Sequence, residues 1–160
     1  MKTLASSVGD LLRERKMTLA VAESVTGGYL SNLITNVSGS SDYFKGGFIV
    51  YSNELKKSTL GVDSQVLQKH GAVSPEVAVE MALGAINKSG SDTALSITGI
   101  AGPLGETEDK PVGLNYIGYA DKRSTETHKF IFSKSRQDIK QQAAQKALEI
   151  LYKHLMEDYF

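Results

Sequence analysis

The sequence predicts an α/β fold of three layers, α/β/α, around a mixed central sheet. Three observations predict it. Helix-like and strand-like segments alternate through the first half of the chain, as parallel strands with helical crossovers do, and strands then follow one another directly near the end. The first strand-like run, Thr18-Leu19-Ala20-Val21-Ala22, is apolar throughout rather than alternating, as in a sheet covered on both faces. The 160 residues are close to one domain's length, and a chain of that size buries about two-thirds of its surface on folding.

The elements can be justified in order. Leu4, Val8, Leu11 and Leu12 recur at helical spacing, and Arg13, Arg15 and Lys16 suit a helix C-terminus, so residues 2–16 are expected to be an amphipathic helix. The buried strand at 18–22 runs into Glu23-Ser24-Val25-Thr26-Gly27-Gly28, and helical periodicity resumes at 29–34. Residues 37–42 are a Ser/Gly-rich loop, and Gly46 to Tyr51 a second strand. A short helix begins at Asn53, capped by Asn53 itself or Ser52. Ser74-Pro75-Glu76 opens a further helix, with serine at the cap, proline in the first turn and an early acid, and it ends before Gly90. A third strand covers 93–97 and leads into Thr98-Gly99-Ile100-Ala101-Gly102-Pro103. An acidic loop, 105–111, precedes strands near 112–120 and 126–132. The last helix, 136–157, carries Ile139, Ala143, Ala147, Ile150, Leu151 and Leu155 on one face. No repeat or linker divides the chain, so one domain, 1–160, is expected.

Composition removes several function classes. Eighteen basic residues balance eighteen acidic ones, and neither half of the chain is basic, which argues against nucleic acid as a partner. The absence of cysteine excludes disulfides, thiolate metal sites and a cysteine nucleophile. Charges scattered between Lys2 and Lys16 break any signal or membrane segment there, so a cytoplasmic protein with no membrane partner is expected. His70, His128 and His154 lie far apart in sequence, and none sits beside a serine.

Three segments concentrate candidate chemistry, each at the end of a strand, where open α/β sheets gather ligands. In the first, a hydroxyl at the strand mouth precedes a helix that opens with two glycines. The first amides of such a helix lack internal partners and carry partial positive charge. That suits a phosphate or an acyl-transfer oxyanion, and equally a turn capped by Thr26. The second, Tyr51-Ser52-Asn53-Glu54-Leu55-Lys56-Lys57, puts a lysine in a first helical turn, either aimed at Ser24 or solvated. The third, 98–103, is a tight glycine turn that wraps a ligand or turns the chain. Glu106, Glu108 and Asp109 beside it are a metal cluster or a solvated loop.

Taken together, Glu-Ser-x-Thr-Gly-Gly at 23–28, Tyr-Ser-Asn-Glu-x-Lys at 51–56, His-Gly-Ala-Val-Ser at 70–74, Thr-Gly-Ile-Ala-Gly-Pro at 98–103 and Lys-Pro-Val-Gly at 110–113 resemble the CinA C-terminal-domain family. The resemblance covers roughly residues 5–155, and its starting point is similar to that of stand-alone members. It implies an amidohydrolase that converts nicotinamide mononucleotide to nicotinic acid mononucleotide and ammonia, without metal or other cofactor. It also implies Ser24 as nucleophile, Lys56 as its base and Tyr51 as an auxiliary. Thr26, Gly27, Gly28, Asn53, Thr98, Gly99, Ala101 and Gly102 become candidate substrate contacts. The amides of Gly27 and Gly28 are expected to hold the oxyanion and the turn at 98–103 the ribose phosphate, or the two glycine turns exchange these roles. Val25 stands where relatives often have cysteine, and its side chain is expected to point away from the chemistry. A small nucleotide is the expected partner, and a homodimer the expected assembly. A catalytically silent binding module, or an amidase for another small acyl substrate, are the alternatives.

Overall fold

The computed structural model describes residues 1–157, so residues 158–160 of the expected domain lie outside the described residues. Helix α1 (Leu4–Arg15) leads to β1 (Leu19–Glu23), α2 (Tyr29–Thr35), β2 (Phe44–Ile49), α3 (Asn53–Leu60), α4 (Ser64–His70) and α5 (Pro75–Ser89). β3 (Thr93–Gly99), β4 (Leu114–Asp121), β5 (Thr125–Ile131) and α6 (Arg136–Glu157) complete it. One sheet runs β2-β1-β3-β4-β5. β1 is parallel to both neighbours, whereas β3–β4 and β4–β5 are antiparallel, so the sheet is mixed as expected.

The two faces of the sheet differ in side-chain size, and that sets their helix spacing. Leu19, Val21, Leu95, Ile97, Ile117 and Tyr119 face α1, α2 and α6. Ala20, Ala22, Ala94 and Ala120 face α5. Small residues let the α5 backbone approach the strands. Ser96 Oγ donates to Ala78 O at 2.5 Å, and a Cβ on Gly118 would stand 2.6 Å from that same carbonyl.

The helix starts follow their caps. Ser74 accepts from Val77 N with Pro75 behind it, and Ser52, not Asn53, caps α3 by accepting from Leu55 N at 3.1 Å. Helix α4 was not expected from the sequence. Its seven residues are too few to develop a helical repeat, although Asp63 caps it through Gln65 N at 2.7 Å. α5 in turn fixes α3: a Cβ on Gly84 would lie 2.2 Å from Leu60 O. Gly84→Ala is therefore expected to push α3 outward and cost about 1–3 kcal/mol in urea unfolding. It should also displace whatever α3 carries at its other end.

Candidate active site

Ser24 follows β1 directly, at the C-terminal edge of the sheet, where its amide donates to Ile97 O of β3 at 3.0 Å. Helix α3 starts beside it because β2 and β1 are neighbours. One turn into α3, Lys56 points inward and is 1 % exposed, while Lys57, about 100° further round the helix, is exposed. Lys56 Nζ lies 3.0 Å from Ser24 Oγ, 2.9 Å from Val50 O and 3.1 Å from Tyr51 O. Burial disfavours the ammonium and lowers its pKa to about 8. The three acceptors match an ammonium's three protons. In the neutral amine the two carbonyls hold the two N–H groups and leave the lone pair for the Ser24 hydroxyl, the arrangement a general base needs.

The glycine turn is organised from inside. Glu23, fully buried at the end of β1, accepts from Thr26 Oγ1 (2.7 Å), Leu30 N (2.8 Å), Ser31 N (2.9 Å) and Ser31 Oγ (2.6 Å). The start of α2 thus already holds an anion, the chain's own carboxylate, which corrects the expectation of an open helix terminus there. Two site expectations change with it. Thr26 is 1 % exposed, and its hydroxyl serves Glu23 rather than a substrate or a helix cap. The Gly27 amide donates to Ser24 O at 3.1 Å and is not free for an oxyanion. The amides of Val25, Thr26 and Gly28 meet no acceptor among the described residues and remain as candidate oxyanion donors. Val25 packs into the core, as expected. Glu23→Ala would orphan four donors, two of them backbone amides, that of Leu30 fully buried. It is expected to lower unfolding free energy by about 3 kcal/mol or more, measured by urea titration.

The remaining expected contacts divide. The Tyr51 phenol is exposed and accepts from Arg136 Nη2 at 3.2 Å, so the tyrosine reaches Lys56 through its backbone carbonyl and not its hydroxyl. Arg136 also donates to Gly102 O at 2.9 Å. β1 lies between β2 and β3, so this link from the segment after β2 to the turn after β3 spans the end of β1, where Ser24 retains 8 % exposure. Asn53 is exposed in the first turn of α3. Thr98 is buried and donates to Ala72 O at 2.8 Å, so its hydroxyl is not offered to a ligand. Gly99 lies against the side chain of Asn115, a fully buried residue whose Oδ1 has no partner. Ala101 is 3 % exposed, and the Ile100 amide is bound to Leu114 O. The 98–103 turn therefore offers α6 a carbonyl, while the amides of Ala101 and Gly102 meet no acceptor among the described residues. Lys110 Nζ donates to His70 O at 2.6 Å and ties the following loop to the end of α4.

Sequence reasoning missed Glu23 and Arg136 as site-builders. Glu23 stood in the first motif and was legible as an acid six residues before a helix start. Arg136 carried no local signal, since only the core face of its helix was readable. The histidines lie elsewhere: His70 faces Glu76, and His128 and His154 share Glu126 Oε2. No group of three or more His, Cys, Asp or Glu able to hold a metal occurs among the described residues, and no helix there is long and apolar enough to cross a membrane. A surface hollow of about 500 Å³ between α2 and α6 is lined by Tyr29, Leu33 and Phe132 and does not include Ser24 or Lys56.

The sequence and the fold are similar to those of known proteins. The CinA C-terminal domain family model matches residues 1–155. A CinA-like protein of Endomicrobium trichonymphae is 51 % identical over 154 residues, covering 96 % of this chain and 36 % of that protein. One from Syntrophomonas wolfei is 51 % identical over 153 residues, covering 96 % and 37 %. The chain thus spans little more than a third of the curated relatives it matches. A crystal structure of a CinA superfamily protein from Klebsiella pneumoniae superposes with a TM-score of 0.93 at 29 % identity, covering 96 % of each chain. A competence/damage inducible protein from Agrobacterium tumefaciens gives 0.85 at 32 % identity, covering 97 % of this chain and 99 % of that one. This chain belongs to the CinA C-terminal domain family.

Proposed function

We propose that the protein is a serine–lysine amidohydrolase that deamidates nicotinamide mononucleotide. The observation that carries this is the 3.0 Å contact between Ser24 Oγ and a buried Lys56 Nζ whose pKa lies near 8. A serine hydroxyl needs a base to become a nucleophile, and a lysine that is partly neutral at physiological pH is such a base. The choice of nucleotide rests on the five ordered motifs shared with the family, because the relatives' names speak of competence and damage rather than of a substrate.

The steps balance as follows. Ser24 Oγ attacks the carboxamide carbon while its proton passes to Lys56 Nζ. The carbonyl oxygen becomes an oxyanion opposite the free amides of the Val25–Gly28 turn. As the C–N bond breaks, Lys56 returns the proton to the departing nitrogen, and ammonia leaves an ester on Ser24. Water then attacks the ester carbon, giving a proton to Lys56, and Lys56 passes that proton to Ser24 Oγ as the ester C–O bond breaks and nicotinic acid mononucleotide leaves. The pyridinium ring withdraws electrons from the carboxamide, and its charge near Lys56 further favours the neutral amine. The test is to incubate the purified protein with nicotinamide mononucleotide and measure ammonia. Release above a Ser24→Ala control is expected, and none above that control would leave a binding module. Release from a panel of simple amides in preference to the mononucleotide would assign the dyad to a different acyl substrate.

A further inference from the structure

A mononucleotide carries a phosphate dianion, and the two turns that a sequence would nominate for it are partly committed within the fold. The start of α2 is occupied by the carboxylate of Glu23, and the 98–103 turn presents Gly102 O to Arg136. Two cations on α6 remain. Lys140 Nζ stands over the nucleophile turn, 3.8 Å from where a Cβ on Gly27 would be. Gly27 has a φ of +58°, a left-handed conformation that favours glycine. Arg136 lies four residues earlier, on the same helical face, and bridges Tyr51 and Gly102. Neither cation has a carboxylate partner among the described residues. The neighbouring acids are engaged: Glu23 by four donors beneath the turn, Asp138 by Ser135. Beside Lys140 a hollow of about 240 Å³ is lined by Tyr29, Gln137 and Gln141, all able to donate a hydrogen bond.

We propose that Lys140, with Arg136 beside it, is the phosphate-recognition pair of this enzyme, so that the substrate lies with its carboxamide at Ser24 and its phosphate under the first turns of α6. The proposal rests on the amidohydrolase function proposed above and adds to it the groups that select a phosphorylated substrate. Uncompensated cations at the mouth of a site draw anions and raise their local concentration, and a lysine grips phosphate as a point charge while arginine binds it as a fork.

The test compares kcat/KM for nicotinamide mononucleotide with that for nicotinamide riboside, which lacks only the phosphate. The natural protein is expected to favour the mononucleotide. Lys140→Ala is expected to reduce that preference at least about tenfold, raising KM far more than it lowers kcat, and Lys140→Arg to retain the preference. An unchanged preference in Lys140→Ala overturns the proposal and leaves the hydrolase itself standing. A second readout does not need activity: titration with inorganic phosphate, followed through the amide resonances of Gly27 and Gly28. Saturable shifts that disappear in Lys140→Ala support the site even if neither compound is hydrolysed. Their absence in the natural protein overturns it.

Discussion

Ser24→Ala is expected to reduce ammonia release from nicotinamide mononucleotide by about a thousandfold or more, because removing the nucleophile of a covalent mechanism leaves only binding and oxyanion stabilisation. The fold should survive. Ser24 contributes one side-chain contact, to Lys56, and Lys56 keeps Val50 O and Tyr51 O as acceptors. The backbone bond from Ser24 N to Ile97 O does not involve the side chain. Unchanged urea unfolding together with abolished turnover separates a chemical role from a structural one.

Lys56→Met carries the second large effect. Methionine fills a similar volume without the amine, and nucleophile and base act as a unit, so the loss should match that of Ser24→Ala rather than add to it. Lys57→Ala should keep most activity, because that side chain is exposed. If Lys57→Ala is the dead variant instead, the assignment of the base is wrong. The pH dependence has a definite sign. Lys56 acts as a base only when neutral, so kcat/KM should rise about tenfold per pH unit below its pKa of about 8 and level off above it. The substrate's ring charge should place the corresponding limb of kcat at lower pH. Stability follows the same group. Its pKa is about 8 folded and near 10.5 unfolded, so between those values the unfolded chain binds more protons and unfolding free energy rises with pH. Lys56→Met should remove that rise.

The mixed sheet and its layers were legible because β1 is an apolar run, strands and helices alternate before the chain gives way to adjacent strands, and α5 announces itself with Ser74-Pro75-Glu76. Strand ends shifted by a residue or two: β2 begins at Phe44 rather than Gly46, since pairing with β1 and not composition decides where a ladder starts. Helix α4 escaped notice because two turns hold too few apolar positions to repeat. Within the site, Ser24 and Lys56 could be named, and the choice of Lys56 over Lys57 came from the motif, whereas the fold supplies the physical reason that one is buried and the other is not. Thr26 and Gly27 were misread for a shared reason. Spacing reveals that a turn has donors, but not that a buried acid from the preceding strand already accepts from some of them. Arg136 and Lys140 could not be placed at all, because they reach the nucleophile turn only through tertiary packing of α6, more than a hundred residues further along the chain.

The most direct measurement is the ionisation of Lys56 itself, followed by NMR through its side-chain carbon beside the amine in lysine-labelled protein, with Lys56→Met to assign the signal. A midpoint near pH 8 is expected for the protein alone, and a lower one once the cationic substrate is bound. A midpoint near 10.5 would mean that the amine stays charged through the physiological range and cannot take the proton from Ser24.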